Sequence, residues 1–256
     1  MLMVGINSGW LGPFLPEISR TSHLPIEHVG LIVSSSAAGA FISVLIAGEI
    51  NQSISAQKIL VGAMVLFSAG LAGLAVSPGL AGLLSAGFFL GLANGGIDIG
   101  ANAITVELNR ERTASALNYL HLLFGVGALL GPLIVSAAFA GRVPYWWVFG
   151  GGALVCAAIG FRLGTTPALE VRIPPELGDE NGFLPMLARP VIWAISTVMF
   201  LYVGAEIGIG TWLFLYLHTA GALSPMLASS GVSLYWLGLV CGRAFGGRLG
   251  HRIAIP

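Results

Sequence analysis

Long runs of apolar residues alternate with short polar segments along the whole 256-residue chain. Crossing a bilayer takes about 20 helical residues, and eight runs are of that order. The predicted spans lie near 1–17, 25–50, 57–77, 79–106, 115–140, 144–164, 186–217 and 222–250. Short turn-forming segments such as SRTSHLP and NRERTAS separate most of them. The pattern predicts an all-α, polytopic membrane protein built as a helical bundle.

One longer break, at 165–185, divides the pattern. This segment is rich in proline and acidic residues, which is typical of a solvated linker. Shifting the chain by 199 residues aligns Val4–Gly9 with Val203–Gly208 and Gly48 with Gly247, so the first two spans recur as spans seven and eight. We therefore predict an N-terminal six-helix bundle (1–164), a cytoplasmic linker (165–185) and the first two helices of a second bundle (186–256). A complete second copy would add about four helices, so the chain is expected to be truncated.

Composition and charge support this interpretation. Hydrophobic residues make up 56% of the chain and charged residues 9%, whereas soluble domains carry about 25% charged residues. With eight spans, nine of the eleven Lys and Arg residues fall on one side and only Arg20 and Arg142 on the other. Because basic residues are retained in the cytoplasm, both termini are predicted to be cytoplasmic, in an inner membrane. No basic cluster indicates nucleic-acid binding.

The fourth predicted span contains a carboxylate, Asp98, among glycines and small residues. A charged side chain at mid-bilayer costs about 2.5–3.5 kcal/mol on insertion scales, so it should face the bundle interior or water. Asn94, Asp98 and Asn102 are spaced four apart and share one helical face. We predict a proton-coupling role for Asp98 and solute contacts for the two asparagines. The alternative is a protonated Asp98 that merely hydrogen-bonds a neighbouring helix. The nearby glycines predicted to pack against other helices are Gly91, Gly95, Gly96 and Gly100.

Further polar residues lie in other spans. Glu206, in the middle of the seventh span, aligns with Asn7 of the first in the 199-residue register. We predict that Glu206 is a second proton-coupling acid, with an interhelical hydrogen bond as the structural alternative. Asn118 and His121 share a face of the fifth span and are candidate solute ligands, although a lone histidine in a helix is equally often a packing residue.

The positions of the aromatic residues and cysteines predict different roles for them. Trp10 and Trp212 lie near the polar positions of the first and seventh spans, where a ring could stack on a sugar. Trp146 and its neighbours open the sixth span and are better explained as interfacial anchors. The two cysteines have no metal-site spacing, so no metal site is predicted.

Two segments resemble a known family. The stretch GIDIGANAITVELNRERTASALNYLHLLFGVGALLGP, from Gly96 to Pro132, and YVGAEIGIGTWLFLYL in the seventh span are similar to the fucose:proton symporter-like branch of the major facilitator superfamily. That branch has an acid on helix 4, an Asn four residues later and a Leu-Asn pair opening helix 5. Asp98, Asn102 and the pair Leu117-Asn118 occupy those positions.

The resemblance implies a secondary active transporter of alternating-access type with twelve helices when complete. It also implies an acidic proton or sugar residue at Asp98. The fucose symporter has a second acid on helix 1, where this chain has Gly12, so a two-acid mechanism does not transfer whole. The superfamily motif Gly-x-Leu-x-Asp-Arg is present only as the imperfect GRLGHR from Gly247, with His251 at the acidic position.

The sequence therefore predicts proton-coupled symport of a small polar, sugar-like solute, with H⁺ or Na⁺ as coupling ion and no cofactor. The expected partners are the solute and the lipid bilayer, and the complete protein is expected to be a monomer. No enzyme motif is present in a persuasive form. Two alternatives stay open: an efflux antiporter for amphipathic compounds, and a non-functional truncated fragment.

Overall fold

The computed structural model describes residues 1–167, 171 and 189–250, with side chains described outside 47–53 and 243–250. Over these residues the chain is all-α, as predicted, and it shows no strand. The helices are α1 Leu2–Ser22, α2 Ile26–Ser53, α3 Ala56–Val76, α4 Leu80–Leu108, α5 Thr113–Ala140, α6 Tyr145–Thr165, α7 Pro190–Thr219 and α8 Pro225–Gly250, with a 3₁₀ turn at Arg110–Arg112.

Seven of the described helices, α2 to α8, are long and apolar enough to cross a membrane. The exception is α1, predicted as a span but more polar than the others because it carries Asn7, Ser8, Glu17 and Arg20. Its inclusion in the bundle comes from its contacts with α5, described below. Of the predicted linker, nearly all residues lie outside the described part of the chain, so the boundary between the two units stays a prediction.

The end of α1 and the start of α7 differ most from the predicted spans, each for a local reason. α1 continues to Ser22, beyond the predicted end at 17, because the hydroxyls of Thr21 and Ser22 donate to the carbonyls of Glu17 (2.8 Å) and Ile18 (2.7 Å). α7 begins at Pro190 rather than 186, since proline suits a first helical position, where no backbone N–H is required.

The helices pack in a fixed order. α4 contacts α2 and α3, α6 contacts α3, and α1 contacts α5; α7 then packs on α1 and α8, and α8 packs on α5. Short turns join most consecutive helices, so the connections lie at two opposite ends of the bundle. We call the end with the α2–α3 and α4–α5 connections the inner end, after the predicted orientation, and the opposite end the outer end. An aromatic core around Phe14 of α1 and Phe149 of α6 lies between the inner and outer ends.

Glycines bring α1 and α5 into backbone contact. A Cβ on Gly9 would lie 2.5 Å from the carbonyl oxygen of Ala128, and one on Gly131 would lie 2.5 Å from that of Ile6. Gly5 and Gly127 make the same kind of contact one turn earlier on each helix. Each helix thus contributes two glycines spaced four apart, which is the packing by small residues that lipid-embedded helices use.

α4 is held in the same way on two sides. Gly91 and Gly95 meet Ser36 and Ser43 of α2, whereas Gly96 and Gly100 meet Ala63 and Ala56 of α3. The packing role predicted for these four glycines is confirmed.

The 199-residue repeat is visible at the outer turns. α2 begins at residue 26 and α8 at residue 225, which is a separation of 199 residues. In the α1–α2 turn His23 has φ 56°, and its repeat equivalent Ala222 has φ 49°. The side chain of Ser19 bonds the carbonyl of Leu24 (2.6 Å), and at the equivalent positions His218 bonds the carbonyl of Leu223 (2.8 Å). The two turns are therefore built alike despite different residues.

The repeat also places a pseudo-two-fold axis. Gly12 of α1 packs directly on the backbone of Thr211 of α7, and these two residues are 199 positions apart. In a two-fold interface only a residue next to the axis touches its own equivalent. The axis relating α1 to α7 therefore passes between Gly12 and Thr211.

We expect Gly91→Val to destabilise the protein by about 1–3 kcal/mol or more, because its side chain would overlap the backbone carbonyl of Ser36 and force α2 from α4. Gly62→Val is the matched control, since nothing lies within 4 Å of a Cβ there. Thermal unfolding in detergent measures both. Equal midpoints for the two variants would contradict this account of the α2–α4 contact.

Candidate functional site

The predicted polar face of α4 exists in the structure. Asp98 is exposed, and the Asn102 side-chain amide donates a hydrogen bond to its Oδ1 at 3.0 Å. Asn94, one turn in the other direction, is half-buried. The i, i+4 spacing therefore produces one continuous polar strip, Asn94–Asp98–Asn102.

Two oxygens of this strip lack partners. The Oδ1 atoms of Asn94 and Asn102 are buried and have no hydrogen-bond partner. A buried polar atom left unsatisfied costs about 1–3 kcal/mol, and such atoms in a native structure call for an explanation. Both are acceptors and flank a carboxylate, so these oxygens together suit a hydrogen-bond donor or a cation. A hydroxylated solute, a proton on Asp98 or a small hard cation would meet that need.

The polar strip lies beside the contact of α4 with α2. Gly91 and Gly95, which face α2, lie within about 60° of Asp98 around the helix, whereas Gly96 and Gly100 face α3 on the opposite side. Asp98 is ten residues before the end of α4, or about 15 Å from the inner end at 1.5 Å per residue. The strip thus lies well inside the thickness of a membrane.

α5 presents the second group of predicted solute ligands. Asn118 and His121 are both exposed, and His121 is eight residues from the start of α5, or about 12 Å from the inner end. That depth is close to the depth of Asp98. One turn further along, Gly125 packs on Val240 of α8, where a Cβ would lie 2.7 Å from the valine side chain. Asn118 and His121 therefore lie just inward of the point where α5 meets α8.

Glu206 has a different environment. It is buried, at 8% exposure, and its backbone carbonyl accepts a hydrogen bond from the Tyr235 hydroxyl of α8 (3.0 Å). One turn along α7, Gly210 packs on the ring of Trp236. Glu206 thus lies within the α7–α8 pair, about 24 Å from the start of α7. The two predicted acids occupy unlike surroundings, one exposed and one buried.

Asn7 and Trp10 form a packed pair. They are 4% and 3% exposed, and the indole Nε1 of Trp10 donates to Oδ1 of Asn7 at 3.1 Å. The Trp10 ring packs edge-on against Phe149 (5.5 Å between centroids) and over Gly152. In this conformation the ring has no free face, so the predicted sugar stacking at Trp10 is not what the geometry shows. Their spacing of three residues places Asn7 and Trp10 on one face of α1. Packing of that face against α6 buries both side chains in the core.

Trp212 lies on α7 with 39% of its surface exposed, and the tip of its ring rests on Gly30 of α2. It therefore bridges the first and second units near the outer end, at a distance along the helices from the α4 strip. Gly12 has no room for a side chain, because a Cβ there would lie 2.3 Å from the backbone carbonyl oxygen of Thr211.

Sequence reasoning missed the polar contacts between α5 and α8. Ser229 donates to the carbonyl of Pro132 at 2.5 Å, Ser233 to that of Leu129 at 3.0 Å, and Ser136 of α5 to Met226 at 3.3 Å. We call these three bonds the serine seam. The four-residue spacing of Ser229 and Ser233 predicts a polar contact on one face of α8. It does not show that the partner helix is α5. The seam lies in the outer halves of α5 and α8 and joins the first unit to the second.

Comparison with known proteins identifies the family of this chain. The sequence model of the Major Facilitator Superfamily matches residues 1–255. The chain belongs to this superfamily. It is therefore a multi-pass membrane protein of a superfamily of transporters.

Relatives from this superfamily are distant. The chain is 22% identical over 270 residues to the mouse Sodium-dependent glucose transporter 1A, covering 92% of this chain and 63% of the relative. It is 24% identical over 269 residues to Bypass of stop codon protein 6 of Saccharomyces cerevisiae, covering 94% and 54%. A solved structure of a mutant nucleoside transporter NupG superposes with a TM-score of 0.76 at 12% identity, covering 98% of this chain and 66% of that one. The chain spans between about half and two thirds of the length of these proteins.

The packed-pair interpretation of Asn7 and Trp10 makes a prediction. Asn7→Ala should lower stability by about 1–3 kcal/mol, because it leaves the Trp10 Nε1 buried without an acceptor. Combined with Trp10→Phe, which removes the donor, the loss should be less than the sum of the single changes, with a coupling of about 0.5–3 kcal/mol. Chemical unfolding in detergent measures the cycle. Additive single changes, together with loss of solute binding in folded Trp10→Phe, would instead indicate a direct solute contact.

Proposed function

We propose that this chain forms the cation site and much of the solute site of a secondary active transporter for a small polar, sugar-like solute. The proposed mode is symport with a proton by alternating access. The observation that carries the proposal is the α4 strip, in which an exposed carboxylate is flanked by two buried amide oxygens without partners. The relatives named for glucose and nucleoside transport support a hydroxyl-rich solute.

The solute site would use acceptors and donors from two helices. Hydroxyl groups of the solute donate to the Oδ1 atoms of Asn94 and Asn102, which satisfies both buried oxygens. The exposed Asn118 and His121 of α5, at similar depth, offer further donors. Glu206 and Trp212 of α7 would contact the solute or respond to it after the second unit moves.

The coupling step follows from the energy of a charge in the membrane. An ionised Asp98 costs about 2.5–3.5 kcal/mol in hydrocarbon, whereas its protonated form avoids that cost. Since 1.4 kcal/mol is a factor of ten, the closed state that dehydrates Asp98 around a bound solute is disfavoured about 100-fold unless Asp98 binds a proton. The loaded carrier therefore closes with the proton bound, and the neutral carboxyl can donate to the solute. After both are released, the empty carrier returns with Asp98 ionised and hydrated, so each cycle carries the proton in the direction of the solute.

In the described part of the chain, α7 and α8 contact the first six helices mainly towards the outer end. These contacts are the Gly12–Thr211 contact, the stacked rings of Phe139 and Phe214 (5.8 Å) and the serine seam. In the proposed cycle the stacked rings and the seam separate when the carrier opens at the outer end.

The decisive experiment is Asp98→Asn in vesicles with an imposed pH gradient. We expect uphill accumulation of the solute to be lost, because the neutral amide cannot carry a proton, while exchange of labelled for unlabelled solute persists. Glu107→Gln is the matched control, since Glu107 lies on the same helix but pairs with Arg110 at its inner end. The assay uses a panel of labelled sugars and nucleosides.

Two results would overturn the proposal. Unchanged uphill accumulation by Asp98→Asn would remove the coupling role. Accumulation driven by a sodium gradient and independent of pH would replace the proton with sodium while leaving the site intact.

A further inference from the structure

A half-open cavity of 360 Å³ lies at the outer end, away from the α4 strip, where the end of α1 meets the α5–α6 turn. Its polar lining comes from Glu17 and Arg20 of α1 and from Arg142 in the turn. Trp146 of α6 and Phe139 of α5 form part of its apolar wall. We call it the outer pocket.

Protein contacts satisfy only one of the two carboxylate oxygens of Glu17. Its carboxylate accepts a hydrogen bond from the backbone N–H of Tyr145, the first residue of α6. That helix has Pro144 at its N-cap and no side-chain cap of its own, so Glu17 supplies the missing acceptor from another helix. The second oxygen, Oε2, is buried and has no hydrogen-bond partner. A charge-bearing acceptor in this position calls for a donor, and a cationic N–H donor would suit it best.

The guanidinium groups of Arg20 and Arg142 would be satisfied by an anion. Arg20 and Arg142 are the two basic residues that the charge pattern assigns to the outer side, and both line this one pocket. Within the described part of the chain neither guanidinium has a carboxylate within 4 Å, although Arg20 lies within electrostatic range of Glu17. Arg142 is held at φ 53°, a conformation that usually favours glycine, by the Val143 N–H bond to the carbonyl of Ala138 (2.8 Å). Two neighbouring guanidinium groups form a typical site for a phosphate.

The apolar part of the pocket places it at the membrane surface. Trp146 is 41% exposed at the start of α6, which is the position of an interfacial anchor. Phe139 and Val143 add an apolar wall beside Trp146. A ligand here would present a polar group to the pocket and an apolar group to the bilayer.

We propose that the outer pocket binds the headgroup of an aminophospholipid of the phosphatidylethanolamine type. Its ammonium group donates to Glu17 Oε2, and its phosphate accepts from Arg20 and Arg142. A choline headgroup has no N–H donor for Oε2, and a glycerol headgroup has no cation. The proposal is independent of the transport function, since no residue of the α4 strip takes part.

The test measures lipid binding by the purified protein, by native mass spectrometry and by thermal stability in detergent. Phosphatidylethanolamine, phosphatidylcholine and phosphatidylglycerol of identical acyl chains are added in turn. We expect the ethanolamine lipid to be retained most strongly and to raise the unfolding temperature most.

Three variants separate the contributions. Glu17→Gln keeps an acceptor for Tyr145 but replaces Oε2 with an amide, so the preference for ethanolamine over choline should disappear while the fold is retained. Arg20→Gln with Arg142→Gln should weaken both zwitterionic lipids about tenfold, as loss of charge-assisted bonds to phosphate predicts. Arg162→Gln, an exposed arginine in the last turn of α6 at the inner end, is the control and should change nothing.

Several outcomes would overturn the proposal. Retention of phosphatidylglycerol equal to that of the ethanolamine lipid, unaffected by Glu17→Gln, would show a simple anion site. Equal stabilisation by free phosphoethanolamine would show that the pocket takes a soluble ligand rather than a lipid. Equal retention of all three lipids by the parent protein and by the double arginine variant would show no headgroup site.

Discussion

Close backbone contact through glycine is the interaction on which this bundle depends. In lipid, helices gain little from burying apolar side chains against each other, so association rests on van der Waals packing at short range. Gly9 and Gly131 supply this between α1 and α5, and Gly91 supplies it between α4 and α2. These contacts fix the rotation of each helix about its axis. Asp98 lies two turns further along α4 from Gly91, so the α2–α4 contact also sets the direction in which this carboxylate points.

The same constraint explains how the two units meet. At the axis between α1 and α7, Gly12 allows the backbone of Thr211 to approach, and the contact excludes any longer side chain at position 12. An acid there would separate α1 from α7. A chain with this close crossing must therefore hold its ionisable groups elsewhere, and Asp98 and Glu206 lie on α4 and α7 away from the crossing point.

Sequence reasoning recovered what depends on neighbouring residues along the chain. Apolar length located the helices, the 199-residue shift located the repeat, and the i, i+4 spacing placed Asn94, Asp98 and Asn102 on one face. It failed where contacts join distant segments. Trp10 was expected to face a solute, but whether that face of α1 meets a cavity or α6 depends on packing with Phe149, 139 positions away in the sequence. Glu17 and Arg142 are likewise brought together only by the fold.

The energies of the proposed cycle are mutually consistent. Interhelical hydrogen bonds in membranes contribute about 0.6 kcal/mol each on average, so the three bonds of the serine seam hold the outer ends together by about 2 kcal/mol. Ionisation of Asp98 in a closed, dehydrated carrier costs about 2.5–3.5 kcal/mol. The serine seam alone is thus slightly weaker than the penalty that proton binding removes. Proton binding to Asp98 can therefore offset the loss of the seam when the conformation changes, whereas a seam of buried ion pairs would outweigh it and fix the protein in one conformation.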